Sequence, residues 1–434
     1  MAANSNASTA PAENARDIEL DVTNVAHGGV FIARHEGRVV FVADTLPGER
    51  VLARVTENRH ESFWRAETLE VLQAAPQRRA HLWREASIER PPHERAGGAE
   101  FGHIELEHQR ELKRQVLTDA LQRMARFSSD LQVEAVQPPE GVGEDAARNG
   151  AGWRTRVRLQ VGERGEVGPF AARSHHVVGV ESLPLAHPAI AGIAPLRQAF
   201  PGVAHVELIA PSDGSPTVIP VGRDRRGKPK RIPPQTTYER VGERRFALEL
   251  GGFWQVHARA AQTLTDAVQQ AIDVEDFEPG AANLDLYGGV GLLAAAVGDR
   301  FGPGTRITSV ESDARATDHA GENLADWIGA GAVTARVDHY LARLLQTAGA
   351  SERGRLRDGT VVLDPPRSGA GRQVVDALAE LAPRQLVYVA CDPVALARDT
   401  GLLRERGYEL RRIRAFDLFP NTHHLEAVAS FARA

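Results

Sequence analysis

Between Ile18 and about Gln73 the chain alternates apolar and polar residues in short runs, IELDVTNVA, VFIARHEG, RVVFVAD, RVLARVTENR and WRAETLEVL. Turn-forming pieces such as HGG and TLPGE separate them. Alternation at every second residue buries one face of a strand, and several short strands in so little chain predict a small β-barrel. The period then changes. In EHQRELKRQVLTDALQRMARF, Leu112, Val116, Leu117, Ala120, Leu121 and Met124 recur at helical spacing and predict an amphipathic helix with these side chains on its buried face. Residues 130–150, rich in Pro, Gly, Glu and Ala, are expected to form a loop or linker.

Alternation returns in WRTRVRLQVGERGEVGPFAARSHHVVGV, where Gly-containing turns suggest an antiparallel sheet. From Phe253 onward, strand candidates (ANLDLY, RITSVE, AVTARVD, TVVLDPP, QLVYVAC) alternate with helical segments such as ATDHAGENLADWI and GRQVVDALAELA. That order predicts an α/β fold with a parallel sheet covered by helices on both faces, closed by YELRRIRAFDLFP and LEAVASFA. Ligands of such sheets collect at the carboxyl ends of the strands, where Asp285, Glu311, Asp364 and Cys391 all fall. The expected organisation is a disordered leader over 1–16, a barrel over 17–73, a mixed α+β middle domain over 74–245 and a Rossmann-like domain over 246–434.

A length of 434 residues exceeds what one core ordinarily serves, in keeping with several domains. No apolar run is long enough to cross a bilayer, and MAANSNASTAPAENARD lacks the basic-then-apolar order of a secretory signal, so a cytoplasmic location is expected. The formal net charge of −5 gives no bulk attraction to a polyanion. The exception is local: GRDRRGKPKR, residues 222–231, sets six cations against Asp224, either as a solvated loop tip or as a phosphate-contacting loop.

There is one cysteine, Cys391. That excludes an intrachain disulfide, a cysteine-ligated iron-sulfur cluster and any multi-cysteine zinc site. Cys391 ends an apolar strand just before a helix, whose N-terminal amides and dipole would stabilise a thiolate. Asp392 beside it works in the opposite direction, and packing is the bland alternative for a buried strand-end cysteine.

LDLYGGVGLLAA is a strand, a glycine turn and a helix start, and Glu311 ends the next strand, placed to meet ribose hydroxyls. The pair points to a nucleoside cofactor and leaves a nicotinamide dinucleotide and S-adenosylmethionine both open. In VVLDPPRSGAG the prolines stop the strand and hold Asp364 at the rim. Glu426, flanked by Leu425, Ala427 and Val428, would be a poorly solvated general base in a central strand and a solvated side chain in an edge strand. His423 and His424 invite a metal, but adjacent side chains point apart and no third ligand is marked.

Taken in order, GGFWQVH, DLYGGVG, VES, LDPPRSG, YVACDPVALARD and FPNTHHLEAVA closely resemble the S-adenosylmethionine-dependent RNA (uracil-5-)-methyltransferases, over nearly the whole chain. The resemblance implies a TRAM domain, an OB-like RNA-binding barrel, at the N-terminus and a class I methyltransferase domain at the C-terminus. It implies Cys391 as nucleophile, Glu426 as base, and Gln255, Tyr287, Gly289, Glu311 and Asp364 as cofactor-binding residues. Asp364 and Arg367 would contact the substrate, which is RNA, ribosomal RNA being favoured over transfer RNA; no membrane and no protein partner is implied. The segment QRRAHLWREASIERPPHERAGGAEFGHIELEHQ lacks the cluster cysteines of many relatives, so a member without an iron-sulfur cluster is expected. Asp392 replaces the usual Asn after the nucleophile, and His257 stands where Asn is commoner. Two rival readings stay open: an RNA-binding protein with an inactive methyltransferase domain, and a methyltransferase acting on something other than RNA.

Overall fold

The computed structural model describes residues 16–60, 62–172 and 174–433, so the expected leader lies outside the described residues apart from Arg16. Two compact units are present. One comprises the described residues up to Gln109 with those of Phe170–Val178 and Asn421–His423; the other comprises Arg110–Pro169, Gly179–Pro420 and the described residues from His424.

In the first unit, β1 (Asp17–Ala26), β2 (Val30–His35), β3 (Arg38–Ala43), β4 (Arg50–Glu57) and β5 (Phe63–Gln73) form a closed barrel in the order β1-β2-β3-β5-β4. Alternation does the sorting: Ile18, Leu20 and Val22 of β1 point inward between exposed neighbours. Buried Glu49 is fully bonded, accepting from Thr45 Oγ1, Leu46 N, Ala75 N and the Arg78 guanidinium, which fixes the chain leaving the barrel. The cysteine-free segment that follows packs Trp83, Phe101 and Ile104 inward, and His103 Nε2 lies 3.0 Å from Thr45 O.

The second unit holds most of helix α1 (Leu106–Ala120), which buries Leu112, Leu117 and Ala120 as expected. Its last turn is π-helical, Leu121–Ala125, and there Met124 is 44% exposed rather than buried. A π turn adds a residue to the helical repeat and rotates the following side chains off the apolar stripe. The region expected to be a loop contains a strand, β6 (Val133–Ala135), and a short helix, α2 (Glu144–Arg148). β6 is too short to mark itself in sequence; it forms by pairing with a strand almost three hundred residues later.

Strands β7 (Arg156–Val161), β8 (Val167–Gly168), β9 (Val203–Ile209) and β10 (Thr217–Gly222) form an antiparallel sheet in the order β10-β9-β7-β8, with α3 (Pro188–Ala191) between β8 and β9. A hairpin of β11 (Thr236–Val241) and β12 (Arg244–Glu249) leads to α4 (Ala260–Ala271). The remaining elements are β13 (Asn283–Leu286), α5 (Leu292–Phe301), β14 (Ile307–Glu311), α6 (Ala314–Asn323), β15 (Ala330–Thr334), α7 (Val337–Thr347), α8 (Ala350–Arg357), β16 (Thr360–Leu363), α9 (Gly371–Leu381), β17 (Gln385–Ala390), α10 (Pro393–Glu405), β18 (Tyr408–Asp417) and β19 (Glu426–Arg433). With β6 they build an eight-stranded sheet, order β15-β14-β13-β16-β17-β19-β18-β6.

Both faces of this sheet are covered, by residues of alternating parity. Val361, Leu363, Leu386 and Tyr388 join one apolar cluster with Val374 and Leu378 of α9, whereas Val362, Val387 and Val389 join another with Leu264 of α4 and Leu293 of α5. The sheet is not wholly parallel: β19 runs antiparallel between β17 and β18. The short β18 to β19 connection explains this, since a parallel neighbour needs a long crossover.

Candidate active site

β17 is buried at every position and pairs with β16 on one side and β19 on the other. The antiparallel register sets Ala390 opposite Ala427, so the next residues outward, Cys391 and Glu426, face each other across the same two strands. Glu426 also pairs with Phe416 on β18, which rules out the solvated edge position. It is 4% exposed. Burial first and Asp364 second raise its carboxyl well above the ordinary range, with Arg367 opposing.

Cys391 is partly buried and not in a disulfide. Burial, then Glu426 and Asp364, push its thiol up to about 12, while Arg367 pulls down and Asp392 adds a smaller push up. The expected thiolate stabilisation by the helix end is therefore not seen. Burial outweighs it, and two of the helix-end amides are already taken: as N-cap of α10, Asp392 accepts at Oδ1 from Val394 N at 3.0 Å and Ala395 N at 2.8 Å. Pro393 at the first helical position completes an ordinary helix start. Asn caps as well as Asp, so the substitution at this position preserves the local fold.

Asp364 sits one residue beyond β16, and its amide donates to Leu286 O at 3.1 Å, carrying the ladder one step further. Burial and then Asp285 raise its carboxyl to about 7. The loop beyond it is strapped down by Asp399 of α10, which is fully buried. Asp399 Oδ2 accepts from Ala370 N at 2.8 Å, Gly371 N at 3.2 Å and Tyr388 Oη at 2.8 Å. Arg398 Nη2 donates to Ser368 O at 2.8 Å and to Asp399 Oδ1 at 2.7 Å. A Cβ on Gly369 would lie 2.5 Å from both Arg398 Nη2 and Asp399 Oδ2, so only glycine fits. Arg367, on this loop, is exposed, with Nη2 3.4 Å from His424 Nε2. Tyr388, inside an apolar run, and Asp399, inside a helix, escaped the reading of the sequence because each reveals its role only through the loop it holds.

The glycine turn runs from β13 into α5. Tyr287 has φ +62 and Gly289 φ +55, both left-handed. Beneath the turn there is no room: a Cβ on Gly288 would lie 2.0 Å from Ser309 Oγ and 2.5 Å from Asp285 Oδ2. At Gly289 the same test meets nothing within 4 Å. Glu311, at the end of β14, is held in place: Oε2 accepts from Gly289 N at 3.2 Å, and Oε1 from Ser312 Oγ at 2.9 Å and Asp313 N at 2.8 Å. A turn closed below and open above, beside a helix N-terminus and a fixed carboxylate, fits a nucleoside cofactor. Asp285 below it is fully buried, and burial outweighs the Ser309 hydrogen bond to bring its carboxyl to about 7.

Gln255 lies half-buried in the loop before α4, whose backbone is anchored on both sides. Arg156 Nη1 donates to Leu250 O at 3.2 Å and Gly252 O at 2.8 Å, and Thr155 Oγ1 donates to Val256 O at 3.1 Å. His257 stacks on Trp153 with centroids 5.6 Å apart, and its Nδ1 accepts from Arg259 N. Burial, with Arg259 adding, lowers its imidazole to about 3, so it serves as a neutral brace. His423 lies 3.4 Å from Glu100 and His424 lies by Arg367, and among the described residues no three metal-ligating side chains gather. Cys391, Glu426, Asp364 and Arg367 thus form one electrostatic group, and Gly289 and Glu311 a second.

Two relatives decide the family. An uncharacterized RNA methyltransferase from Streptomyces avermitilis is 37% identical, the match covering 95% of this chain and 97% of that one. A 23S rRNA (uracil(1939)-C(5))-methyltransferase, RlmD, from Halomonas elongata is 30% identical over 94% and 88% of the two chains. The chain belongs to the RNA (uracil-5-)-methyltransferase family. The model for tRNA (Uracil-5-)-methyltransferase matches residues 352–433, the part of this methyltransferase that carries Asp364, Cys391 and Glu426, and the TRAM domain model matches residues 11–63. Among solved structures, the Pyrococcus abyssi tRNA (uracil-54, C5)-methyltransferase in complex with S-adenosyl-L-homocysteine superposes with a TM-score of 0.67 at 20% identity, over 95% of this chain and 99% of that one. The fold is therefore a TRAM barrel followed by a class I methyltransferase fold.

Proposed function

We propose that this methyltransferase places a methyl group on C5 of a uridine in RNA, ribosomal RNA in preference to transfer RNA, through a covalent bond from Cys391 Sγ to C6. The observation that carries the reading is the strand register that sets Cys391 against Glu426 with Asp364 and Arg367 in electrostatic reach. The ribosomal preference rests on the substrate named for the Halomonas relative.

Gln255, Tyr287, Gly289, Glu311 and Asp364 would hold the cofactor. When bound, S-adenosylmethionine supplies an electrophilic methyl group on a sulfonium whose positive charge lowers nearby proton affinities. The target base leaves its stack to reach Cys391, and Asp364 and Arg367 orient it. With both substrates absent, its raised proton affinity keeps Sγ protonated near neutral pH, and burial and Asp364 raise the proton affinity of the Glu426 carboxyl. Sγ gives its proton to solvent and adds to C6, and the electron pair moves onto C5 and O4. With the methyl group transferred to C5 and S-adenosylhomocysteine left behind, Glu426, its own proton lost to solvent, removes the C5 proton as a carboxylate, the C6–S bond breaks, and the thiolate returns. Such an enzyme acts in the cytoplasm, where its substrate is found, and no helix among the described residues is long and apolar enough to cross a membrane.

The test is to incubate the protein with labelled S-adenosylmethionine and separated ribosomal and transfer RNA from a strain lacking its gene, then identify the labelled nucleoside by mass spectrometry. 5-Methyluridine in the ribosomal fraction supports the whole reading, and in the transfer fraction it corrects the substrate. No labelled nucleoside in either fraction would favour an inactive RNA-binding protein or a substrate other than RNA.

A further inference from the structure

Arginines elsewhere on the second unit commonly spend their charge on carboxylates: Arg158 on Glu207, Arg244 on Asp299 and Asp326, Arg336 on Asp338, Arg414 on Glu134. Arginines so paired have little to offer a polyanion. The connection that follows β10 breaks the pattern. Every residue from Arg223 to Arg231 is exposed, and Arg223, Arg225, Arg226, Lys228, Lys230 and Arg231 make no ion pair with a carboxylate among the described residues. Asp224, the single acid there, shapes the turn: its Oδ1 accepts from Arg226 N at 2.8 Å and Lys228 N at 2.9 Å.

These cations are held on a folded finger. Lys230 N donates to Gly222 O at 2.8 Å, Asp224 N to Lys228 O at 2.7 Å and Arg223 Nη1 to Gly227 O at 2.9 Å, with Gly227 at φ +76 closing the tip. The backbone is thus ordered before any ligand arrives, which lowers the entropy lost on binding. The finger extends from a sheet that also anchors the loop carrying Gln255. β10 pairs with β9 and β9 with β7, and Thr155 and Arg156 at the start of β7 bond the backbone of Leu250, Gly252 and Val256.

We propose that the 222–231 finger is a phosphate-backbone grip for the RNA substrate, acting outside the catalytic pocket and without reading bases. Unpaired cations at this density match closely spaced phosphates. The stretch carries no aromatic side chain on which a base could stack and no large apolar side chain that would insert into a lipid surface. The proposal rests on RNA being the substrate.

The test compares the full-length protein with a quadruple variant, Arg225→Gln, Arg226→Gln, Lys228→Gln and Lys230→Gln, which leaves Arg223 and Asp224 to keep the turn. RNA affinity is measured across monovalent salt concentrations, and methylation kinetics on the same RNA. The variant is expected to bind at least tenfold more weakly at about 0.15 M salt and to show a shallower log-log salt slope by about 3 to 3.5, from roughly 0.7 to 0.9 for each of the four phosphates no longer neutralised. KM for RNA should rise at least tenfold while kcat at saturating RNA holds within about twofold. An unchanged slope and KM in the variant would overturn the grip and leave the methylation reading standing. A wild type that binds RNA through the finger yet forms no 5-methyluridine would support the grip and overturn the methylation reading. Finger-dependent capture by anionic phospholipid vesicles, with none by RNA, would overturn the grip.

Discussion

Cys391 and Glu426 face each other because Ala390 pairs with Ala427 across antiparallel strands, one step inside the rim. With the roles proposed, Cys391→Ala abolishes turnover and leaves S-adenosylmethionine affinity within about twofold, since catalysis by a positioned nucleophile contributes only after binding. Glu426→Gln should methylate the bound base and then stall, so a covalent protein–RNA adduct accumulates on denaturing gels. An adduct no more abundant than in wild type would remove Glu426 from the base role.

Because Cys391 is the single cysteine, alkylation by iodoacetamide reports its ionisation alone. A thiol pushed up to about 12 is almost wholly protonated at pH 8, so the free enzyme should react about tenfold faster for each unit of rising pH up to that value. Arg367→Gln removes the downward pull and should slow alkylation at fixed pH; Glu426→Gln removes an upward push and should quicken it. A rate that levels off below pH 9 in the free wild type would contradict the environment described.

Asp399 is a positioning residue for the loop bearing Asp364 and Arg367. Asp399→Ala strands the Gly371 amide and the Tyr388 hydroxyl proton and leaves Ala370 N only its bond to Tyr388 Oη, at about 1 to 3 kcal/mol for each group left unsatisfied, measurable by urea unfolding. Asp399→Asn keeps one acceptor oxygen and should recover much of that loss. In the same pair of variants, KM for RNA should follow the stability order if the loop presents Arg367 to the substrate.

The cap at Asp392 separates folding from chemistry. Asp392→Asn should leave stability within about 0.5 kcal/mol and speed iodoacetamide alkylation slightly, by removing a small upward push on the thiol. Asp392→Ala loses the cap and should cost about 0.5 to 2 kcal/mol. If Asn proves as costly as Ala, the carboxylate has a role beyond the two amides.

Much of this architecture was open to inspection in one dimension. The alternation from Ile18 to Gln73 named the barrel, because period-two burial depends only on neighbouring residues. The strand ends carrying Glu311, Asp364 and Cys391 were likewise marked by apolar runs that stop at a polar or proline residue. Met124 was misplaced because a π turn has no local signature, and β6 was missed because three residues become a strand only beside β18.

By itself, then, the sequence determined the barrel, the alternating strands and helices that follow it and the chemical groups at their ends, since periodicity, caps and breakers are local properties. Tertiary structure alone decided that Cys391 meets Glu426, that Asp399 straps the loop after Asp364, and that the proton affinities of thiol and carboxyl are both raised. Those outcomes depend on strand register and on exclusion from water, and both arise only when segments far apart in the chain pack together.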